Sequence, residues 1–549
     1  MALDDVTIQI TLGVVSTVFS YVVTNATIPV VAKYLLNHTN LHGIDMGRRS
    51  NNKLPESLGI VAGLTYLASF LVFFIITPYV FMYLNILTSF SLSEKLCNNS
   101  INNQDGSNGY SNSLSNLAAI TSIFAMLMLG FIDDCYDLRW RYKLIFPFLA
   151  SLPLLSVYYY SYSERTVILV PQFIAKNLNI EHRLNLGVFY YLFMLMFVIF
   201  CTNSINIYAG INGLEVGQTI ILTVTVIWYN LIEVLTKSNC DEWHILSLQL
   251  LIPFLFSSIA LYRYNRYPAQ VFVGDSYCYF AGITLAVVGI LGHFSEEILL
   301  FASLQVFNFI ISMPQLFRLV PCPRHRLPKY NEQTGLREPS TFRFKYHRLN
   351  VFGRLVINVS KQLGLAQVYK VDPSKTSTWC IDESTELSSD PARFDNSSKQ
   401  SAFTTRSWIQ ETKSAGDNLS GLSKLTALRQ SASLASSLDS HATRLADRGF
   451  RAMDDLSGGR SFDEASRMSA ASYKTRDNSD DRYRLAADNR NDADDNEYEC
   501  NNLTLINLWL CWFGPRSERD LCHQLLRVQC YASFLALAFL TFIKLQNEH

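Results

Sequence analysis

Residues 187–203 read GVFYYLFMLMFVIFCTN, an apolar and aromatic run that turns polar only at its last two positions. A helix needs roughly 20 apolar residues to cross a hydrocarbon core of about 30 Å. Nine other segments fit the same template, so we predict an all-α polytopic membrane protein with about ten transmembrane helices. The ten predicted spans lie near residues 6–33, 57–86, 115–131, 143–161, 187–203, 216–236, 244–262, 277–292, 297–317 and 524–543.

Basic residues are concentrated in alternate loops between these spans. The alternation puts on one side of the membrane the loops that hold Arg48, Arg49, Lys53, Arg139, Arg141, Lys143, Arg263, Arg266, Arg324 and Arg326. Cytosolic loops carry the excess of Lys and Arg, so this side is predicted to face the cytosol.

Composition divides the chain into hydrophobic segments and one long polar segment. Hydrophobic residues make up 49% of its 549 residues, yet residues 371–499 are rich in Ser, Asp, Arg and Ala and show no periodicity. Such a segment cannot bury enough apolar surface to offset the entropy of ordering. We therefore predict that this segment is a disordered cytosolic insertion, either a bare linker or a carrier of phosphorylation sites. It separates a membrane core at residues 1–370 from a return segment at residues 500–549, which contains the tenth helix.

Net charge and cysteine spacing argue against two classes of partner. Acidic and basic residues balance at 46 each, so no overall charge indicates binding to nucleic acid. The eleven cysteines lie mostly in apolar segments and form no pair at zinc-ligand spacing. Function is therefore expected to come from local polar sites.

Polar clusters follow or open five of the predicted spans, all on the predicted cytosolic side. They comprise Asp45, Asn52, Lys53 and Glu56 after the first span; Asp133, Asp134, Asp137 and Lys143 after the third; Asn203, Asn206, Asn212 and Glu215 after the fifth; Asp275 at the eighth; and Arg324, His325 and Arg326 after the ninth. Carboxylate and amide oxygens are ligands that Mg²⁺ prefers, commonly together with substrate phosphates. With nearby Lys and Arg they supply what phosphoryl transfer needs, because its catalysis is mainly positioning and charge neutralisation.

Two of these clusters also have a purely structural interpretation. Asp133 and Asp134 could cap a span in the headgroup region. Asn203 and Asn206 lie three residues apart on one helix face and could join neighbouring helices by hydrogen bonds. From the residues alone, both interpretations stay open.

The remaining clusters have structural alternatives as well. Gly210 and Gly213 allow close approach of the backbone, to a ligand or to a neighbouring helix. The Arg-His-Arg run at 324–326 could bind anionic lipid. Lys53 and Glu56 could form a surface ion pair of little energetic value.

Five ordered motifs resemble those of one enzyme family. They are LPESLGIVAG (54–63), LGFIDDCYDLRWRYK (129–143), FCTNSINIYAGINGLEVGQ (200–218), VFVGDSYCYFAGITLAVVGILGHFS (271–295) and PQLFRLVPCPRHRLP (314–328). They resemble the eukaryotic UDP-N-acetylglucosamine–dolichyl-phosphate N-acetylglucosaminephosphotransferases, which belong to glycosyltransferase family 4 in the polyprenyl-phosphate hexose-1-phosphate transferase superfamily. The resemblance covers roughly residues 5–370 and resumes at ECNNLTLINL (499–508).

The resemblance implies a ten-helix enzyme of the endoplasmic reticulum membrane with its active site facing the cytosol. Such an enzyme transfers GlcNAc-1-phosphate from UDP-GlcNAc to dolichyl phosphate and releases UMP, the first step of lipid-linked oligosaccharide synthesis for N-glycosylation. Mg²⁺ is the expected cofactor, and the expected partners are UDP-GlcNAc, dolichyl phosphate, the lipid bilayer and a second copy in a homodimer. Tunicamycin mimics the nucleotide-sugar pair in this family, so sensitivity to it is expected.

The resemblance also implies catalytic and metal-binding roles. Asn206 and Asp275 would hold Mg²⁺, and Lys143 would neutralise the phosphates. Asp133 and Asp134 match the acidic pair of the family, which would orient the acceptor phosphate or the metal. A phosphate monoester is largely ionised near neutral pH, so no strong base is required.

The substrate-binding residues implied by the family surround the nucleotide sugar. They are Met46, Glu56, Lys143, Gly210, Asn212, Phe272, Arg324, His325 and Arg326. Phe272 and Gly210 would enclose the uracil, and Asn212 and Glu56 would help to bind the nucleoside. The three basic residues at 324–326 would hold the diphosphate and the amino sugar.

Two features depart from the family pattern. Asp137 stands where Asn is expected, which adds negative charge near the predicted metal, and the insertion has no counterpart.

A bacterial-type enzyme using undecaprenyl phosphate is the nearest alternative function, although PCPRHR and GHFSEEILLF favour the dolichol branch. A transporter would place polar residues near the midplane of repeated halves, which this sequence does not show, and a scaffold would leave the charged clusters unexplained.

Overall fold

The computed structural model describes residues 2–45, 53–92, 105–136, 138, 140–162, 166–169, 176, 183–236, 242–323, 325–371 and 496–548. The stretches on either side of residues 372–495 belong to one compact unit. The predicted disordered insertion falls almost entirely outside the described residues, so its disorder stays a prediction.

Helices account for most of the described chain. They are α1 (Ala2–His38), α2 (Gly59–Leu92), α3 (Asp105–Tyr136), α4 (Trp140–Tyr162), α5 (Val188–Ile207), α6 (Leu214–Thr236), α7 (Glu242–Asn265), α8 (Gly274–Leu291), α9 (Ser295–Phe301), α10 (Ser303–Leu316), α11 (Val351–Gln362), α12 (Leu505–Phe513) and α13 (Glu518–Glu548). Each predicted span coincides with one of these helices, except that the ninth is the pair α9 and α10.

The apolar helices confirm an all-α polytopic membrane protein. Among the described residues, seven helices are long and apolar enough to cross a membrane, and α9 with α10, bent by 75°, would make an eighth. The apolar parts recognised in α2 and α4 are shorter, Gly59–Phe73 and Ile145–Ser161. The count of ten spans therefore stays a prediction.

The centre of the bundle is α8. Every residue from Ser276 to Leu291 is buried, and the helix packs against α2, α3, α5 and α7. A helix that is buried all round has protein neighbours on every side. The first turn of α8 is therefore fixed by its neighbours, and this turn carries Asp275.

Short strands, which the sequence did not predict, lie in the segments that connect the helices. The antiparallel pairs are β1 (His42–Ile44) with β2 (Lys53–Pro55), β3 (Val167–Leu169) with β4 (Arg183–Asn185), and β5 (Lys329–Asn331) with β6 (Leu336–Glu338). A three-stranded sheet contains β7 (Thr341–Lys345), β8 (Val368–Lys370) and β9 (Glu497–Asn501).

The central strand of that sheet, β9, follows the insertion in sequence. Cys500 of β9 pairs with Phe342 on one side and Val368 on the other. Val371 N donates a hydrogen bond to Glu497 O at 2.9 Å, so the chain leaves β8 and re-enters β9 at adjacent points. The long insertion therefore occupies the position of a hairpin loop between two paired strands.

Replacing residues 372–495 with a turn of about four residues should preserve the fold. The entropic cost of closing a flexible loop rises by only about 0.6 kcal/mol per doubling of its length, so shortening it should stabilise the β8–β9 pair or leave it unchanged. Thermal unfolding and size-exclusion profiles in detergent would test this.

The matched control deletes residues 372–501, which removes β9 as well. This variant should melt lower and aggregate, because β7 and β8 lose the strand between them. Equal loss of folded protein in both deletions would contradict the hairpin interpretation.

Candidate functional site

The N-terminus of α8 is capped by a carboxylate from another helix. Asp134, near the end of α3, accepts hydrogen bonds from Asp275 N at 2.6 Å, from Ser276 N at 3.1 Å and from the Ser276 hydroxyl. The first amides of a helix lack partners within it, and its dipole stabilises negative charge there. The structural interpretation of Asp134 as a cap thus applies, but to α8 rather than to its own helix.

Two glycines make this contact possible. Gly274 has a φ of +70°, and the Asp134 carboxylate fills the space where a Cβ would lie. A Cβ at Gly130 of α3 would lie 2.6 Å from Ser276 Cα and 2.8 Å from the carbonyl oxygen of Asp275. Larger residues at either position would separate α3 from the first turn of α8.

The side chains of Asp133, Asp134, Lys143, Asn206 and Asp275 form one group, here called the Asp275 cluster. Lys143 Nζ lies 2.9 Å from Asp133 Oδ2 and 3.2 Å from Asp275 Oδ2. Asn206 Nδ2 donates to Asp275 Oδ1 at 2.8 Å. The structure therefore brings together the ends of α3, α4, α5 and α8, as the alternation of spans predicted.

Members of the cluster differ in their access to solvent. The Asp133 side chain is 1% exposed, whereas Lys143 is 21% and Asp275 is 26% exposed. Asp133 Oδ1 accepts from Leu138 N at 3.0 Å, and its Oδ2 accepts from Tyr279 Oη at 2.8 Å. A ligand can therefore reach Asp275 and Lys143, while Asp133 contacts the lysine on its buried side.

The asparagines predicted as a pair have different partners. Asn203 Nδ2 donates to Ile199 O of its own helix at 2.8 Å, whereas Asn206 reaches across to Asp275 on α8. An interhelical hydrogen bond is thus present at Asn206, where it also orients a solvent-accessible carboxylate.

The hairpin of β1 and β2 lies against the segment that enters α8. Phe272 N donates to Pro55 O at 2.8 Å. A Cβ at Gly43 would lie 3.1 Å from the Phe272 ring and 3.6 Å from Glu56 Oε2. Burial raises the pKa of the Glu56 carboxyl above its usual value, and the negative charge of Asp134 raises that pKa further. Glu56 and Phe272 are therefore neighbours on one wall of the site.

The loop after α5 meets the loop after α10. Gly210 N donates to Glu215 Oε1 at 2.7 Å, and the Leu327 side chain fills the space next to Gly210 that a Cβ would need. The contact seen at Gly210 is thus with Leu327, and enclosure of uracil between Gly210 and Phe272 stays a prediction.

Arg326 presents a buried charged nitrogen. Its Nη1 is buried and has no hydrogen-bond partner among the described residues, and burial lowers the pKa of the guanidinium. An unpaired buried charge is costly, so the geometry suits an anionic ligand. His325 is exposed, and the predicted residues Met46, Asp137 and Arg324 lie outside the described residues.

The segment after the insertion holds the backbone of Arg326 in place. Arg326 O accepts from Asn507 Nδ2 at 2.8 Å and from Ser340 Oγ at 3.1 Å. Asn507 Oδ1 in turn accepts from Ser340 N at 2.8 Å. Thr504 caps α12 and accepts from Asn507 N. The return segment therefore fixes the backbone of the loop that carries Arg326.

A second set of contacts, here called the Glu518 network, joins four segments of the chain. Asn212 Nδ2 donates to Asp45 Oδ2 at 3.0 Å, and Asn212 N donates to Glu518 Oε1 at 2.9 Å. Glu518 Oε2 and Arg337 Nη2 form a buried ion pair at 2.9 Å, and Arg337 Nη1 donates to Pro328 O at 3.1 Å. The contact seen for Asn212 is thus structural.

Five residues with these roles were not predicted from the sequence. They are Ser276, Tyr279, Arg337, Asn507 and Glu518. Asn507 falls within the ECNNLTLINL motif, and Ser276 and Tyr279 fall within the motif at 271–295, so the motifs were the available signal for these three. Arg337 and Glu518 lie in segments whose composition does not distinguish them from ordinary helix or loop residues.

Comparisons with known proteins cover the same region. The model of Glycosyl transferase family 4 matches residues 116–293, which include the Asp275 cluster. The chain is similar to proteins named UDP-N-acetylglucosamine–dolichyl-phosphate N-acetylglucosaminephosphotransferase. The Saccharomyces cerevisiae protein is 42% identical over 338 residues, 59% of this chain and 72% of that relative. The Dictyostelium discoideum protein is 43% identical over 335 residues, 57% of this chain and 74% of that relative.

A bacterial relative is more distant. A Bacillus subtilis protein named as a probable undecaprenyl-phosphate N-acetylglucosaminyl 1-phosphate transferase is 27% identical over 196 residues, 36% of this chain and 47% of that relative. Identity is therefore higher, and extends further, with the two eukaryotic relatives than with this bacterial one.

Glu518→Gln should strongly destabilise the protein. Removing one partner of a buried ion pair typically costs about 3–5 kcal/mol, because the other charge stays buried without its counterion. The double variant Glu518→Gln/Arg337→Met should lose less than the sum of the two single variants, as thermal unfolding in detergent would measure.

Arg343→Gln is the control. It removes a partly exposed pair with Glu499 at 3.9 Å, and exposed pairs contribute about 1 kcal/mol or less. Strictly additive effects of the Glu518 and Arg337 substitutions would contradict the coupling between them.

Proposed function

Since the chain belongs to the family of UDP-N-acetylglucosamine–dolichyl-phosphate N-acetylglucosaminephosphotransferases, we infer that it transfers GlcNAc-1-phosphate from UDP-GlcNAc to dolichyl phosphate. The products are dolichyl-diphosphate-GlcNAc and UMP. The observation that carries the assignment to a site is the Asp275 cluster, where an accessible carboxylate lies between a lysine and an amide.

The residues of this cluster fit Mg²⁺. The carboxylates of Asp133, Asp134 and Asp275 face a single described cation, Lys143, so a divalent ion would offset the excess negative charge. Asp275 and Asn206 would hold it, because one carboxylate, one amide oxygen and substrate phosphates form a common Mg²⁺ environment. An Asn amide offers an oxygen as readily as an N–H group. When bound, the ion would neutralise charge on the diphosphate.

Lys143 and Arg326 supply the positive charge for the phosphates. Lys143 is accessible on one side and fixed by Asp133 on the other, so it can contact a phosphate without losing its orientation. The unpaired Nη1 of Arg326 suits a diphosphate oxygen. Preorganised charges of this kind stabilise the transition state because they need little reorganisation during the reaction.

The acidic pair has a positioning role in this proposal. Asp133 orients Lys143, and Asp134 holds the first turn of α8 in the orientation that exposes Asp275. Because the acceptor phosphate is already largely ionised at neutral pH, neither aspartate has to remove a proton.

The location and assembly are also proposals. The excess of basic residues on the active-site loops supports a cytosolic orientation, and dolichyl phosphate as acceptor supports the endoplasmic reticulum membrane. A homodimer is proposed from the family resemblance alone. Cross-linking of purified protein would test it separately from activity.

Purified protein in detergent should convert UDP-GlcNAc and dolichyl phosphate to UMP and dolichyl-diphosphate-GlcNAc when Mg²⁺ is present. EDTA should abolish the reaction, and added Mg²⁺ should restore it, because the negative cluster then regains its counterion. The measurement follows UMP and the lipid product together.

A parallel assay with undecaprenyl phosphate tests the choice of acceptor lipid. Folded protein that gave no lipid product with either acceptor would overturn the enzymatic assignment. Undiminished turnover in EDTA would remove Mg²⁺ from the proposal and leave the reaction itself standing.

Asp275→Asn should lower kcat roughly a hundredfold to a thousandfold, the usual effect of losing one preorganised charged contact. The cap of α8 uses the backbone amide of this residue, so the melting temperature should change little. Asp520→Asn is the matched control, because Asp520 is an exposed carboxylate bonded to Ser517. Near-normal turnover of folded Asp275→Asn protein would refute the role of Asp275.

A further inference from the structure

Helix α11 has three distinct faces. Gly353 and Ile357 are buried against the protein, and Arg354, Asn358 and Lys361 form an exposed polar face. A third, apolar face is exposed and consists of Val351, Phe352, Leu355 and Val359, continued by Leu363. Val351 and Phe352 are 78% and 70% exposed. At 3.6 residues per turn these apolar positions fall in one stripe, so the exposure is a continuous surface.

Exposed apolar surface of this extent indicates a binding partner. The protein side of the helix is already occupied, because Ile357 packs with Phe342, Phe344 and Leu349 in a separate hydrophobic core. The stripe is therefore additional to what folding of this region requires.

The stripe starts next to the end of a membrane helix. Gly353 lies directly against the Leu319 carbonyl, three residues after α10 ends at Leu316. Phe317, between these two points, is exposed. The apolar surface of the α10 end thus continues onto α11.

The other end of the stripe meets α12. Trp512 Nε1 donates to Gly364 O at 3.1 Å, beside Leu363, and both Trp512 and Phe513 are exposed. Leu505 N at the start of α12 donates to Asn308 Oδ1 of α10 at 2.8 Å. Asn308 lies about 12 Å before the end of α10 at 1.5 Å per residue, so α12 runs beside the membrane helix.

We propose that α11 lies in the surface of the bilayer, on the side where the active site opens, with its apolar stripe among the lipid acyl chains. Interfacial helices combine an apolar face with a basic polar face, and aromatic residues such as Trp512 are enriched at the headgroup level.

The charge of this region complements anionic headgroups. Residues 346–364 contain no acidic residue, and Arg348 and Lys361 are exposed there. Arg318, at the end of α10, is exposed as well. Basic residues of this kind attract anionic lipid at the membrane surface. A bilayer surface therefore matches both features, because it offers acyl chains to the apolar stripe and anionic headgroups to the basic residues.

Docking of α11 on the bilayer would also fix the depth of Arg326 relative to the membrane surface. The sheet strand β7 follows Ser340, which binds the Arg326 carbonyl, and β7 side chains pack on α11. An α11 held in the bilayer surface keeps Arg326 at the level where a lipid-borne phosphate lies. This consequence rests on the proposed function, whereas the docking itself does not.

The test places a photoreactive residue on each face of α11. Full-length protein carrying Phe352→benzoylphenylalanine, and separately Asn358→benzoylphenylalanine, is reconstituted in nanodiscs of phosphatidylcholine and phosphatidylserine and irradiated. Mass spectrometry of the tryptic peptide then measures phospholipid adducts. Position 352 should give at least a tenfold higher adduct yield than position 358.

Two outcomes would overturn the proposal. One is equal lipid adducts at both positions, and the other is cross-links from position 352 to peptides of the insertion or of a second copy. Leu355→benzoylphenylalanine, with Lys361→benzoylphenylalanine as its control, repeats the comparison if position 352 does not tolerate the probe. Because no substrate is needed, failure here is distinct from failure of the enzymatic assignment.

Discussion

The arrangement of the site depends on the bond between the Asp134 carboxylate and the first amides of α8. This bond ties α3 to the most buried helix of the bundle at the point where the solvent-accessible carboxylate of Asp275 lies. The close approach at Gly130 makes the bond geometrically possible. Without this bond, the first turn of α8 would not be fixed relative to α3, and Asp275 would not be held towards Lys143 and Asn206.

The same constraint explains how distant parts of the sequence converge. The helices α3, α4, α5 and α8 are joined at the site by polar contacts between their ends, and the loop after α10 is held by residues that follow the insertion. Asn507 fixes the Arg326 backbone, and Glu518 connects Asn212 to Arg337. The loop that carries Arg326 and the return segment are thus one structural unit, although about a quarter of the chain separates β8 from β9.

The sequence predicted the features that depend on composition and missed those that depend on pairing. Apolar length located the helices that coincide with the predicted spans, and residue chemistry placed Asp133, Asp134, Lys143, Asn206 and Asp275 among a larger set of candidates at the span ends. The partner of Asp134 is a pair of backbone amides on another helix, and backbone amides have no sequence signature. Strands of three residues, the central position of β9 and the Arg337–Glu518 pair likewise depend on tertiary contacts.

The difference in exposure between two carboxylates explains how one lysine can serve both structure and ligand. A lysine without a carboxylate partner would be free to move. Here Asp133 is sealed and bonded on both oxygens, so it fixes Lys143 without competing for a ligand, while Asp275 stays accessible. Buried ion pairs contribute little net stability because desolvation offsets their attraction. The arrangement is therefore better explained by the positioning of the lysine charge than by stabilisation of the fold.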